Sequence, residues 1–206
     1  MPAETQVSAR TPRLTVRIEV MTDTRFSGAA EMQNVFLGAR KAMCGVFSYR
    51  CCPGGASEFG QRYKDHPEKL AISAVAVRED DDSVVGLAMM TEYGMPRTWD
   101  EKQLHTLRPG ECYLDTLSVA AGARGQGIGS KLLRWCEDTA VARGAEVLSL
   151  RVVAGNPAQR LYERKGFELT NPVGCCGWFW MFCFLGLPHC RCGGHRMEKE
   201  LRGAGP

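Results

Sequence analysis

No stretch of this chain approaches the ~20 consecutive apolar residues that span a bilayer, and Met1 to Arg10 lack the apolar core of a secretory signal. An excess of charge is missing as well. Lys and Arg number 26 against 23 Asp and Glu, a net +3 that is too small to make nucleic acid the main partner. No internal repeat is visible. Ten cysteines without a secretory signal argue for a reducing, cytoplasmic compartment, in which most are small buried hydrophobes or free thiols. What is present is ordinary for a globular protein: 44% hydrophobic and 24% charged residues in 206, enough for one domain with a real core.

Residues 1–13 are polar and carry two prolines, which predicts a mobile tail ahead of a domain over 14–203. Leu14 to Val20 alternates apolar and polar side chains, the period of a half-buried strand. Phe26, Ala30, Val35, Phe36, Ala39 and Met43 fall near helical spacing, and a short helix is expected from Ser57 to Tyr63. Leu70 to Val77 and Ser83 to Glu92 read as a hairpin whose acidic tip, Asp80-Asp81-Asp82, is a solvated turn rather than a metal site. A turn of helix is expected over Leu104 to Leu107. Then come a strand from Cys112 to Val119, a helix to Arg143 and a Val- and Leu-rich strand from Glu146. A helix follows, opened by Asn156-Pro157, and two last strands close the chain. This order predicts an α/β fold with a mixed sheet and helices on both faces.

The most informative stretch is Arg124-Gly125-Gln126-Gly127-Ile128-Gly129-Ser130, between a strand and a helix. Alternate glycines let a ligand approach the backbone closely. The N–H groups that open the helix have no helical partner and sit at the positive end of its dipole. Together these make a phosphate or pyrophosphate site. Gly129-Ser130-Lys131 has the wrong order and spacing for a Walker loop. Gly-x-Gly-x-Gly in mid-chain is not the dinucleotide fingerprint of a first βαβ unit, which argues against a nucleotide-dependent oxidoreductase.

Arg124-x-x-Gly127-x-Gly129 resembles the acyl-CoA pyrophosphate loop of the GNAT superfamily of N-acetyltransferases. Ala158 to Phe167, with Leu161-Tyr162 and Gly166-Phe167, is similar to that family's penultimate helix, although Asn156 stands two residues before Ala158 rather than three. The resemblance implies the GNAT fold, a mostly antiparallel mixed sheet, from about Leu14 to Leu201. It implies acetyl-CoA as co-substrate, held at 124–130 and along the backbone of Leu117, Ser118 and Val119, with Asn156 and Tyr162 beside it. The reaction implied is direct acetyl transfer to a primary amine in a ternary complex. Tyr162 is then the general acid for the thiolate, and a backbone N–H near Leu117 stabilises the oxyanion.

For the base the candidates are Asp115 and Glu111, on one face with Tyr113 and Leu117 if the strand is regular, with Glu92 in reserve. A catalytically inactive acyl-CoA-binding sensor or scaffold is the alternative. The acceptor, a small molecule or a protein amine, is not legible, and a homodimer stays open. Residues 171–194 depart from the family. Cys175-Cys176, the aromatic run from Trp178 to Phe184 and Cys190-Arg191-Cys192 suggest a lid over the acceptor pocket or a subunit contact. Adjacent Cys-Cys and Cys-x-Cys are not the usual spacing of a structural zinc site, so no metal is expected.

Overall fold

The computed structural model describes residues 14–37, 56–64, 66–97, 102, 105–153, 155–172 and 194–201. The tail at 1–13 and the Cys/aromatic segment at 175–192 lie outside the described residues. The chain forms β1 (Val16–Val20), α1 (Phe26–Leu37), α2 (Ala56–Lys64), α3 (Pro67–Leu70), β2 (Ser73–Arg78), β3 (Val84–Glu92) and β4 (Glu111–Val119). After these come α4 (Ile128–Ala142), β5 (Val147–Val153), α5 (Gln159–Arg164), β6 (Glu168–Pro172) and β7 (Gly194–Glu200). The seven strands make one sheet in the order β1-β2-β3-β4-β5-β7-β6. Among the described residues only β4 and β5 pair in parallel. The expected mixed, mostly antiparallel sheet with helices on both faces is therefore what forms. Of the helical turn expected at Leu104 to Leu107, Leu104 lies outside the described residues, and His105 to Leu107 run without regular structure, with His105 and Arg108 held by contacts to Glu111.

Both faces of the sheet are covered, which is why β2 and β3 read as almost unbroken apolar runs. On one face α4 buries Ile128, Leu132, Leu133, Cys136 and Ala140 against Ala74, Ala76, Ala88, Leu114, Leu148 and Leu150. Each such leucine contributes about 1.5–3 kcal/mol by leaving water. On the other face α1 and α2 bring Ala29, Ala30, Met32, Phe59 and Tyr63 against Val75, Val77, Leu87 and Met89. The acidic hairpin tip faces solvent, and Asp82 there pairs with Arg17 and Arg25, which hold its carboxyl at about 2.

Two irregularities in β4 shape the functional end of the sheet. The β3–β4 register shifts so that Met89 faces Thr116 and Met90 faces Leu114, leaving Asp115 as an extra, bulged residue. The bulge reverses the alternation beyond it. Leu117 and Val119 join Cys112 and Leu114 on the α4 side, and the Ser118 hydroxyl points to α1, donating to the Met32 carbonyl at 2.9 Å. Leu117 thus does not share a face with Glu111, Tyr113 and Asp115 as a regular strand would require. The second irregularity is the parallel ladder itself. It runs only from Glu111↔Val147 to Leu114↔Leu150, although both strands continue.

Candidate active site

Past Leu114 and Leu150, each strand keeps its outer neighbour and loses its inner one. β4 stays paired to β3 as far as Val119↔Gly86, and β5 to β7 as far as Val153↔Gly194. Beyond Leu114 the edge of β4 that faces β5 therefore has no strand partner along 115–119 and borders a gap in the sheet, and the backbone groups of such an edge seek a partner. The gap ends at the glycine turn. A short 3-10 turn, Ala121–Ala123, leads into it, and Gly125 and Gly127 take φ of +75° and +83°, a region that side chains with a Cβ avoid. Gly127 is the N-cap of α4 and no side chain caps it. The N–H groups of Ile128, Gly129 and Ser130 at that end have no intrahelical acceptor. Gly129 is also close-packed, since a Cβ there would lie 3.4 Å from Leu161 Cδ2 of α5.

The polar side chains of the turn are partly used within the protein. Arg124 Nε donates to the Val119 carbonyl at 3.0 Å, and Gln126 Oε1 accepts from the Leu14 N–H at 2.7 Å. A groove of about 320 Å³ starts at Ser130 and is lined by Lys131, Arg134, Trp135, Asp138, Lys165 and Ile18. Its three cations face one carboxylate, although it reaches neither Asp115 nor Tyr162.

Tyr162 lies on α5, buried in the core beneath α4, with the Phe167 ring edge-on at a centroid distance of 5.9 Å. Burial pushes its phenol above the ordinary range. Among the described residues its hydroxyl has no hydrogen-bond partner. Asn156 is exposed, and its Oδ1 accepts from the Ala158 N–H at 2.9 Å in the turn before α5, which starts at Gln159, two residues later than Pro157 alone suggests.

The two candidate bases part company. Asp115 sits half-buried at the bulge, beside the gap, and accepts from the Thr91 hydroxyl at 2.6 Å. Glu111 lies at the opposite end of β4 and is fully buried. Its Oε1 takes bonds from Arg196 Nη2 at 2.7 Å, from His105 Nε2 at 3.0 Å and from the Ser149 hydroxyl. Its Oε2 takes the Arg108 N–H at 3.0 Å and Arg108 Nε at 3.2 Å. Burial alone would raise the Glu111 pKa, but these donors and the Arg196 charge outweigh it and bring it to about 2. His105 stacks on Tyr113 at 4.2 Å and takes a bond from Arg196 Nη1 at its Nδ1, 2.9 Å away. Arginine can only donate, so Nδ1 accepts and the proton is on Nε2. Burial accordingly pushes the imidazole pKa down. Glu92 is bound to Arg143 at 2.5 Å.

The sequence reading missed Thr91, His105, Ser149, Arg151 and Arg196. A signal existed in β5, where Ser149 and Arg151 interrupt Leu148, Leu150 and Val152 with period two.

Residues 46–167 match the model of the Acetyltransferase (GNAT) family, more than half of the chain. The chain belongs to the GNAT family. It is 36% identical over 101 residues to Acetyltransferase Atu2258 of Agrobacterium fabrum, a match that covers 48% of this chain and 61% of that relative. The GNAT fold is shared with an N-acetyltransferase of Staphylococcus aureus Mu50, with a TM-score of 0.64 and 19% identity over 91% of this chain and 99% of that one. It is shared equally with yncA, a putative acetyltransferase of Salmonella typhimurium solved with its cofactor acetyl-CoA. That comparison has a TM-score of 0.64 and 19% identity over 93% of this chain and 98% of that one.

Proposed function

We propose that this GNAT protein transfers an acetyl group from acetyl-CoA to a primary amine by direct attack within a ternary complex. The observation that carries the reading is the open backbone edge at 115–119, running directly into the uncapped helix N-terminus at Gly127. One surface thus offers strand-like pairing for a pantetheine arm and free N–H groups for a pyrophosphate. Gly125, Gly127 and Gly129 clear the approach, and the cations Lys131, Arg134 and Lys165 suit the phosphates of the nucleotide beyond.

In this reading the amine enters on the face that carries Asp115 and gives up its proton to that carboxylate, directly or through one water. The amine nitrogen then attacks the thioester carbonyl, and a backbone N–H near Leu117 holds the oxyanion. As the tetrahedral species collapses, the C–S bond breaks and Tyr162 gives its proton to the departing sulfur. The raised phenol pKa does not prevent this, because the same dry surroundings raise the basicity of the thiolate. Glu111, whose lone pairs are already taken by five donors, serves the frame.

Paired variants test the assignment. Asp115→Asn and Tyr162→Phe are each expected to lower turnover by ~100-fold or more while acetyl-CoA affinity stays within a few-fold of wild type, as for groups that act in the transition state. Calorimetric binding together with free-thiol release reads both quantities. Wild-type turnover in either variant would return that residue to a structural role.

A further inference from the structure

Leu114↔Leu150 is the last rung of the parallel ladder, so Asp115 of β4 and Arg151 of β5 are the first residues on the two sides of the opening. By strand alternation both lie on the face of Tyr113 and Ser149, the face from which the amine is taken to enter. Opposite charges on adjacent strands would ordinarily pair. Here no ion pair forms between them, and Asp115 instead accepts from Thr91 on its far side. Arg151 is half-buried, its Nε is closed off from solvent, and among the described residues its guanidinium has no hydrogen-bond or ion-pair partner. Its neighbour on β7, Arg196, is by contrast fully engaged with His105, Glu111 and Glu198. One cation at the mouth of the gap is thus partly desolvated and unbalanced, a costly arrangement that an anion would relieve.

Building on the amine-acetylation reading, we propose that Arg151 binds a carboxylate of the acceptor, which makes the acceptor a small amino acid with its carboxylate a few bonds from its amine. The guanidinium fork matches a carboxylate in two-point contact. Asp115 then faces the ammonium end and Arg151 the carboxylate end of one small zwitterion. Paired strands lie ~4.8 Å apart, and β4 and β5 are no longer paired past the last rung. The scheme also places the nucleophilic nitrogen on the Asp115 side, beside the backbone of Leu117.

The test uses the full chain, acetyl-CoA, a panel of L-amino acids, their carboxamides, and dipeptides with the same first residue. Free-thiol release is expected to favour the acids over both other series by about tenfold or more in kcat/KM, because the carboxamides lack the carboxylate and the dipeptides carry it one residue further from the amine, so neither places it at Arg151. Arg151→Gln should bring that ratio close to one, and Arg151→Lys should restore part of it. Acetyl-CoA affinity and thermal midpoint, measured on the same variants, should stay near wild type. Equal use of carboxamides or dipeptides by the wild-type protein would overturn the proposal. So would an Arg151→Gln variant that loses acids and carboxamides in equal measure, the behaviour of a solvated or structural arginine. If acetyl-CoA binds but no amino acid is acetylated, the carboxylate anchor is wrong and the acyl-CoA site stands. If acetyl-CoA does not bind, the underlying acetyl-transfer reading fails as well.

Discussion

Two carboxylates on β4 have opposite surroundings. Glu111 is enclosed by His105, Arg108, Ser149 and Arg196, and its pKa falls from 4.5 to about 2. A group with a depressed folded pKa stabilises the fold above its unfolded pKa and loses that contribution as pH falls through the folded one. Glu111→Gln is therefore expected to cost on the order of 3 kcal/mol at pH 7, the scale of breaking a buried pair. The gap from wild type should narrow as pH falls from about 4.5 towards 2, read from urea unfolding at several pH values. A gap independent of pH would mean that the network acts by shape rather than charge. Nothing in the local sequence separates Glu111 from Asp115. The donors that immobilise Glu111 come from a loop, from β5 and from β7, so only the folded sheet reveals which carboxylate is committed. Tyr162 and the glycines were legible because their spacing is local and resembles the family's motifs.

At the scale of the element, the turn from β4 into α4 was the clearest part of the sequence, because three glycines, a strand and an amphipathic helix lie in contiguous order. The bulge at Asp115 was not. A bulge leaves no mark in an alternating strand when the residues on both faces of the sheet are buried, and its consequence, the turning of Leu117 to the α4 side, follows only from the β3 register. The role expected of the Leu117, Ser118 and Val119 backbone likewise came from resemblance and not from pattern. The turn itself invites a direct test. Gly127→Val forces a β-branched residue to φ +83° and places a side chain where the pyrophosphate is taken to lie. Its apparent acetyl-CoA constant should rise by well over tenfold. Gly144→Ala, a substitution at φ +78° in the turn after α4, serves as the control for strain alone and should bind acetyl-CoA as wild type does. Equal loss in both variants would assign the effect to backbone strain and not to the ligand site.

For the whole molecule, the seven strands were each visible in the sequence, but their order was not. β7 enters between β5 and β6 and brings Arg196 and Glu198 beside Glu111 and Ser149, a neighbourhood assembled from residues far apart in the chain. Among the described residues no helix is long and apolar enough to cross a membrane. On one face of the sheet a hydrogen-bonded cluster around Glu111 fastens β4, β5 and β7 together, and Asp115 and Arg151 flank the opening. In the proposed mechanism the cluster gives rigidity and the opening gives the chemistry, and the central claim concerns the opening. Its most direct measurement is acceptor-dependent thiol release by the purified full chain at saturating acetyl-CoA, with the acetylated amine identified by mass. The account predicts stoichiometric release of one thiol per acetylated amine, with a rate set by amine concentration. Tight acetyl-CoA binding without release, across amino acids, polyamines, antibiotics and peptide amines alike, would contradict it and leave a protein that binds acyl-CoA without transferring from it.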